Sequence, residues 1–206
     1  MALGKGLLIV TCMAVSVAGI QYKPDSSCDF TGIDVDGAIA RVLAKLPGHQ
    51  LRVGGFKGTF AGIEFLHLNM SGLNKLRQFG AAVPYCINGT RMIRVELVCG
   101  DDAALTVPWI FCTGTEGSIE MRPKLVRFTT LFSVNVPDIS RDVKLAYEGP
   151  TTPVTTENLK LSVNGAGSFP LILSTYFSMA FPAVIREIWN ENFFFYFRGA
   201  VEEALA

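Results

Sequence analysis

The feature that most constrains the fold is a change in the spacing of apolar residues along the chain. Between residues 51 and 163, apolar and polar residues tend to alternate, which is the period of a strand with one buried face. In the clearest run, residues 91–99, the odd positions from 93 onward are apolar, whereas Arg94 and Glu96 point the other way. The runs of this kind are Thr59–Met70, Leu73–Ile87, Thr90–Cys99, Leu105–Cys112, Ile119–Val136 and Val154–Val163. They predict an antiparallel sheet with one apolar face and one polar face.

Turn lengths predict how the central strands pair. A three-residue turn at Gly100-Asp101-Asp102 is favoured because it sets apolar residues opposite apolar residues, and a slip of one residue would invert every side chain. The pairs it predicts are Leu97 with Leu105, Val95 with Val107, and Ile93 with Trp109. A two-residue turn would instead set these residues opposite Thr106 and Pro108. The same reasoning across Asn88 pairs Tyr85 with Ile93, and Val83 with Val95.

A helix is predicted before the sheet. Asp34 or Asp36 caps its start, and it runs to about Leu46 before Pro47-Gly48 ends it. The residues of its apolar stripe, at i, i+3, i+4 and i+7, are Ile39, Val42, Leu43 and Leu46.

Helical spacing returns between Phe169 and Ala206. One nearly continuous face is predicted to carry Ile185, Ile188, Trp189, Asn192, Phe193, Tyr196, Phe197, Ala200, Val201, Ala204 and Leu205. Pro182 is expected to kink or restart this helix, and the stretch Leu171–Ile185 is interpreted as a buried core helix. The order helix, antiparallel sheet, long helix predicts the α+β class.

The first residues are typical of a secretory signal peptide. Lys5 precedes the apolar run 7–10, and the small residues Ser16-Val17-Ala18 suit cleavage after residue 18. The alternative, a membrane anchor, needs about 20 apolar residues, and this run is shorter. We therefore predict a signal peptide at 1–18, a single domain at 19–206 and a secreted, extracellular protein without a transmembrane segment.

The cysteines and two sequons agree with export. Once Cys12 leaves with the signal peptide, an even number remains: Cys28, Cys86, Cys99 and Cys112. Two disulfides are therefore predicted. The predicted sheet puts Cys86 and Cys112 on the polar face and Cys99 on the apolar face, which favours the pairs Cys28–Cys99 and Cys86–Cys112, although four cysteines permit three pairings. The triplets at Asn69 and Asn88 predict N-glycosylation.

One segment resembles a known family. The runs Gly58-Thr59-Phe60-Ala61-Gly62-Ile63 and Gly72-Leu73-Asn74-Lys75-Leu76-Arg77-Gln78-Phe79-Gly80 resemble the strand-and-turn signature of the mite group 7 allergens. Those belong to the tubular lipid-binding (TULIP) superfamily, together with the bactericidal permeability-increasing protein and the takeout and juvenile-hormone-binding proteins of insects. The likeness is specific in residues only over about 55–83, and it covers most of the mature chain in element order.

The resemblance implies a long, strongly curved antiparallel sheet that wraps a long C-terminal helix, with an apolar cavity between them, as in half of a tubular lipid-binding protein. The inward faces are then expected to line that cavity with Val126, Phe128, Phe132, Val134, Trp189, Phe193 and Phe197. Two departures from group 7 allergens are the predicted pair of disulfides and the many phenylalanines. Secreted tick salivary proteins are similar in this mixture of features, and that branch implies interference with host clotting or complement.

Composition limits the function. Charges balance at 18 against 18, so bulk electrostatics implies no nucleic-acid partner, and 50% of residues are hydrophobic. We find no hydrolase elbow, zinc helix or phosphate-binding motif, and we expect neither an enzyme nor a cofactor or metal. Two functions are therefore predicted: carriage or sequestration of a hydrophobic small molecule or lipid, or, alternatively, a secreted effector that binds a host plasma protein.

Overall fold

The structure, a computed structural model, describes residues 28–51, 58–60, 62–136, 143–165, 176 and 179–206. The predicted signal peptide at 1–18 lies outside these residues. The helices with described bounds are α1 (Val35–Ala44) and α2 (Pro182–Leu205), with a 3-10 turn at Leu73–Lys75; Tyr176, Met179 and Ala180 are also helical. The strands are β1 (His49–Leu51), β2 (Gly58–Phe60), β3 (Ile63–Phe65), β4 (Asn69–Ser71), β5 (Arg77–Gln78), β6 (Val83–Ile87), β7 (Thr90–Cys99), β8 (Ala104–Phe111), β9 (Glu116–Arg122), β10 (Leu125–Asn135), β11 (Lys144–Tyr147), β12 (Thr152–Glu157) and β13 (Lys160–Asn164).

The predicted first helix is confirmed. The backbone N–H of Gly37 donates to Asp34 Oδ1 over 2.9 Å, so Asp34 caps α1 and satisfies a donor that the first turn leaves free. The helix ends at Ala44, two residues before the predicted end, and Ile39 and Leu46 are buried against the core.

All described strand pairs are antiparallel, and they form two sheets. In a seven-stranded sheet, β8 is central: β3 and β4 lie along one edge of it, and β9 followed by β13 lies along the other. In a six-stranded sheet, β7 pairs with β10; β5 and β6 lie beyond β7, and β11 and β12 lie beyond β10. The alternation predicted for β7 is confirmed, since Ile93, Val95, Leu97 and Cys99 are all buried.

The predicted hairpin between β7 and β8 is wrong. Residues 100–103 carry the chain from the six-stranded sheet into the seven-stranded sheet, so β7 and β8 do not pair. The apolar partners of β7 come from β10 instead, where Leu97 lies opposite Phe128 and Ile93 opposite Phe132. The apolar face of one strand can pack beside the apolar face of any other strand. The alternation in β7 therefore predicted which of its side chains are buried, but it could not predict which strand pairs with β7.

The pairing predicted across Asn88 is wrong by one residue. Asn88 and Gly89 both have positive φ, 50° and 79°, as a two-residue type I′ turn requires. This turn sets Val83 opposite Arg94 and Tyr85 opposite Met92. Val83 consequently lies on the outer side of the sheet, where it is 47% exposed.

The long second helix lies between the two sheets. It begins at Pro182, whose fixed φ and missing N–H suit the first turn, so the restart predicted at this proline is confirmed. The members of the predicted face that are buried are Ile185, Trp189, Phe193, Tyr196, Phe197, Ala200, Val201 and Ala204. Ile188 was placed on that face wrongly, because it is 44% exposed. In the predicted core helix at Leu171–Ile185, residues 171–175 and 177–178 lie outside the described residues. The prediction of burial is wrong for the rest apart from Ile185, since Tyr176, Met179 and Val184 are 66%, 77% and 56% exposed.

The predicted fold class is confirmed. The chain is α+β, with curled antiparallel sheet structure around a long C-terminal helix and a short helix before the strands. The core forms where the inner faces of β4, β7, β8 and β10 meet α1 and α2.

Candidate ligand-binding site

The seven residues predicted to line a cavity come together between β10 and α2. Each is buried, with an exposed fraction between 0% and 5%. They reach this position for two simple reasons. Alternation along β10 turns its even positions inward, and a spacing of four along α2 stacks Trp189, Phe193 and Phe197 on one face.

The aromatic rings of this group contact one another. The ring of Phe128 lies at the centre, with centroid distances of 5.4 Å to Phe193, 4.9 Å to Phe197 and 5.6 Å to Phe194 in edge-to-face geometry. Trp189 stacks on Phe193 at 5.4 Å with an interplanar angle of 20°. Such ring pairs add about 0.5–1.5 kcal/mol each beyond area burial. The predicted lining residues therefore form a packed aromatic cluster.

The second half of α2 is closed. Its buried residues fill the space between the sheets, and its polar groups have partners. The Tyr196 hydroxyl donates to the Leu68 carbonyl over 2.6 Å, and Lys45 Nζ donates to the Ala204 carbonyl over 3.0 Å. The second bond also places a cation at the negative end of the helix dipole. We call residues 193–205 the closed half of α2.

The first half of α2, residues 182–192, is open to solvent on its apolar side. Only Ile185 and Trp189 are buried among its described residues, whereas Val184 and Ile188 are 56% and 44% exposed. Phe181, the residue before the helix, is 49% exposed. Three apolar side chains at i, i+3 and i+7 thus form a stripe that faces away from the core. We call residues 182–192 the open half.

A cleft lies beside the open half. Its volume is about 380 Å³, and its lining residues are Pro153, Val154, Thr155, Thr156, Arg186 and Asn190. Thr156 Oγ1 donates to Asn190 Oδ1 over 3.2 Å, which ties β12 to α2. The pairing of β10 with β12 shifts by one residue at this point, which leaves Val154 as a bulge residue with 46% of its surface exposed. The Val126 end of β10 lies here, because Val126 pairs with Thr156.

Trp189 carries an unpaired polar atom in this region. The residue is 0% exposed, and its indole N–H has no hydrogen-bond partner among the residues that the structure describes. A buried donor without a partner is rare, since the desolvation is uncompensated. Sequence reasoning placed Trp189 at the site but gave no signal for this atom.

A larger cleft, of about 530 Å³, lies between residues 147–151 and α2. Its lining combines Tyr147, Phe194 and Phe195 with Glu148, Glu191 and Arg198. Sequence reasoning missed this cleft, because the loop and the helix are far apart in the chain. Phe195 is 51% exposed here, whereas Phe194 packs on Phe128, so the run of aromatics at 193–197 is divided between core and surface.

The predicted disulfide pairs are wrong. The disulfide joins Cys28 to Cys86, and it ties the segment before α1 to β6. Cys99 is a buried free thiol and Cys112 an exposed one, so the prediction of two disulfides also fails. Cys99 is buried, as predicted for the apolar face, and Cys86 is exposed on β6 as predicted for the polar face, whereas Cys112 lies in the turn after β8 rather than in a strand; spacing alone carries no information on pairing. Burial raises the pKa of the Cys99 thiol to about 11, with the Asp102 carboxylate acting in the same direction.

The two sequons lie in different surroundings. Asn69 is half-buried within β4, and its Oδ1 is enclosed without a hydrogen-bond partner in the described part of the chain. Asn88 is exposed at the tip of the hairpin between β6 and β7.

Comparisons with known proteins bear on the fold alone. No protein-family model matches the chain, and no curated protein matches its sequence. A lipopolysaccharide binding protein is similar in structure with a TM-score of 0.40 and 14% identity over 87% of this chain; the chain spans 37% of the length of that protein. Takeout 1 of Epiphyas postvittana is similar with a TM-score of 0.45 and 14% identity, over 88% of this chain and 92% of that one. The mite group 7 allergen and tick salivary branches stay predictions. At scores this low, neither neighbour indicates what this chain binds.

Within the described residues, no helix is long and apolar enough to cross a membrane. The same residues bring together no group of three or more histidine, cysteine, aspartate and glutamate side chains.

Proposed function

We propose that this chain is a secreted carrier that binds a hydrophobic, lipid-like molecule without changing it chemically. One observation carries the proposal: the packed aromatic cluster continues into the open half of α2, which exposes Val184 and Ile188 on one flank and borders a cleft with the exposed Val154 on the other. Exposed apolar side chains around a packed core of this kind mark a site that another molecule covers. Each Å² of carbon removed from water there stabilises the complex by about 25 cal/mol.

The ligand lies between the open half of α2 and the Val126 end of β10. Trp189 and Phe193, which are fully buried before the ligand enters, form the inner wall, and Val154 on β12 forms the rim. The other predicted lining residues, Phe128, Phe132, Val134 and Phe197, pack behind this wall and keep it rigid. Rigid walls favour binding because little conformational entropy is lost when the ligand arrives.

Export and modification complete the proposal. A disulfide between Cys28 and Cys86 suits an oxidising compartment, as does the predicted signal peptide at 1–18. We expect the glycan at Asn88 rather than at Asn69, because a transferase needs an exposed amide. Glycosidase treatment of protein from insect cells should increase its gel mobility, and Asn88→Gln should abolish that increase. An increase that survives Asn88→Gln and disappears in Asn69→Gln would reverse the assignment.

The carrier function is tested by binding. Native mass spectrometry of protein from a eukaryotic secretory host should show a co-purifying lipid. After delipidation, the protein should take up a fluorescent fatty-acid probe with a micromolar or lower Kd. Val154→Lys should weaken this binding at least tenfold, because it puts a charge on the apolar rim. The matched control is Val83→Lys on β6, beyond β7 in the same sheet, at a valine of similar exposure (47% against 46%), and it should bind as wild type does.

Failure of delipidated wild-type protein to bind any member of a broad lipid panel at micromolar concentration would exclude the carrier function. The alternative is an effector that binds a host plasma protein and interferes with clotting or complement. Exposed Phe181 and Phe195 would then serve as contacts, and a pull-down from plasma with wild type and Phe195→Ala would test them. Equal lipid binding by Val154→Lys and wild type would keep the carrier function and reject the site.

A further inference from the structure

The indole of Trp189 is the starting point. An indole N–H can only donate a hydrogen bond, and this one has no acceptor among the described residues although the side chain is fully buried. Leaving a buried donor unpaired costs about 1–3 kcal/mol. The comparable hydroxyl on the closed half, that of Tyr196, has its acceptor at 2.6 Å. The unpaired donor is therefore confined to the half of α2 that we propose as the ligand site.

The surroundings restrict the chemistry of an acceptor for this donor. Stacking on Phe193, with the planes 20° apart, holds the indole ring in one orientation. Trp189 belongs to a cluster of buried hydrophobic residues that also contains Val126, Phe128 and Phe193. Burying an ionised carboxylate in such surroundings costs far more than one hydrogen bond returns. An uncharged acceptor, such as an ester, ketone or ether oxygen, meets no such cost.

We propose that the ligand carries an uncharged hydrogen-bond acceptor, and that Trp189 Nε1 donates to it. This inference rests on the proposed carrier function and narrows the ligand class from lipids in general to neutral lipids with a carbonyl or ether oxygen. Trp189 then selects among hydrophobic molecules of equal length, because a plain hydrocarbon leaves the donor unpaired.

The first test compares two ligands that differ by one oxygen. n-Tridecane and 2-tridecanone, each competing against N-phenyl-1-naphthylamine, are measured on wild type, Trp189→Phe and Trp109→Phe. The ratio of the two affinities should fall by about 3- to 10-fold in Trp189→Phe, which matches the loss of one neutral hydrogen bond. Trp109, buried in β8 and 3% exposed, provides the matched control, and Trp109→Phe should leave the ratio unchanged. Because both ligands are measured on the same variant, any loss of folded protein cancels from the ratio.

The second test needs no folded variant at position 189. The chain has two tryptophans, so an NMR spectrum of ¹⁵N-labelled protein shows two indole N–H resonances, which Trp109→Phe assigns. Addition of 2-tridecanone should move the Trp189 resonance downfield, as formation of a hydrogen bond does. Addition of n-tridecane should change the proton chemical shift of the Trp189 indole N–H less than 2-tridecanone does. Sodium laurate, which brings a charged acceptor, should compete less well than methyl laurate.

The outcomes separate the two proposals. If neither tridecane nor tridecanone displaces the probe or perturbs the spectrum, the carrier function itself fails. If both bind, and the affinity ratio is the same in wild type and Trp189→Phe, the carrier stands and the role of Trp189 is rejected. Equal downfield shifts with n-tridecane and 2-tridecanone would also reject the role of Trp189. Tighter binding of laurate than of methyl laurate would reject it as well.

Discussion

The two halves of α2 differ in what they do with the same kinds of residue. In the closed half, aromatic and aliphatic side chains are buried against β10, β11 and α1, and Tyr196 and Lys45 form hydrogen bonds across the contact. In the open half, apolar side chains of similar size face solvent, and a buried tryptophan has no hydrogen-bond partner among the described residues. One helix thus contributes stability at its second half and a surface for recognition at its first. The predictions below test this difference, starting with the largest effect.

The largest difference should appear between two phenylalanines that are two residues apart. Phe197 is fully buried and contacts the rings of Phe128 and Tyr147, whereas Phe195 is 51% exposed. Phe197→Ala should lower the free energy of unfolding by about 3–5 kcal/mol, because it leaves a cavity in a packed cluster. Phe195→Ala should change it by less than about 0.5 kcal/mol. Urea denaturation measures the free energy of unfolding of both variants. A similar decrease in the two variants would mean that the closed half is assigned wrongly.

The disulfide should have the next largest effect. It closes a loop of 58 residues, and it ties the segment before α1, which packs on the closed half, to β6. Cys28→Ser together with Cys86→Ser should lower the stability by about 2–4 kcal/mol, mainly through greater freedom of the unfolded chain. Probe binding at the open half, measured where both proteins are folded, should stay the same. If the double variant bound the probe more weakly but unfolded with the same free energy as wild type, the disulfide would contribute to the binding site rather than to stability.

A smaller effect should follow from removing one hydroxyl. Tyr196→Phe leaves the Leu68 carbonyl without its donor, which should cost about 1–2 kcal/mol. Thermal unfolding checks this prediction. The matched control is Tyr147→Phe, whose hydroxyl meets only the Thr151 hydroxyl at the rim of a cleft and should contribute less. An unchanged Tm for Tyr196→Phe would show that a water molecule replaces the hydroxyl, and that water enters the closed half of α2 despite its packing.

A further effect, confined to alkaline pH, concerns the free thiols. Cys99 lies opposite Val126, at the end of β10 next to the open half, and the pKa of its thiol is raised to about 11 by burial. An unfolded chain releases this proton near pH 8.5. Between these two pH values the folded state keeps a proton that the unfolded state has lost, so stability should fall as pH rises through this interval. In Cys99→Ala this part of the slope should be absent.

Alkylation of the same thiols reports whether the open half admits solvent to the core. Iodoacetamide should modify exposed Cys112 quickly and buried Cys99 only after unfolding. Mass spectrometry of the native protein should therefore find one added group. Two added groups at native pH, with unchanged folding, would mean that the core opens near Val126.

Local features of the sequence predicted local structure well. Asp34 as a cap, Pro182 as a start and the alternation in β7 each depend on neighbouring residues, and all three are confirmed. Face assignments along α2 also held where the helix is covered on the predicted side. Ile188 was misplaced because helical spacing defines a stripe and does not say where along the helix the covering elements end.

Long-range features could not be derived from the same patterns. The partner of β7 is β10 rather than β8, and the disulfide joins Cys28 to Cys86, because pairing depends on topology and not on spacing. The seven residues predicted to line a cavity are buried in one cluster, and their role in binding stays a prediction; the exposed Val154 and Val184 were missed. A bulge places the first of these, and an uncovered helix face exposes the second.

The crossing of the chain at residues 100–103 determines when this protein is able to fold. Strands β7 and β10 are partners, but β8 and β9 are synthesised between them and belong to the other sheet. Neither sheet can be completed by local hairpins, and α2, which fills the space between the sheets, follows every described strand in the chain. When all the described strands of a nascent chain have been synthesised but α2 has not, the inner faces of both sheets, including Phe128 and Leu105, are still exposed to water. We therefore expect folding to be completed only after α2, a helix of 24 residues, has been synthesised, and we expect the growing chain to be prone to association with its neighbours until then.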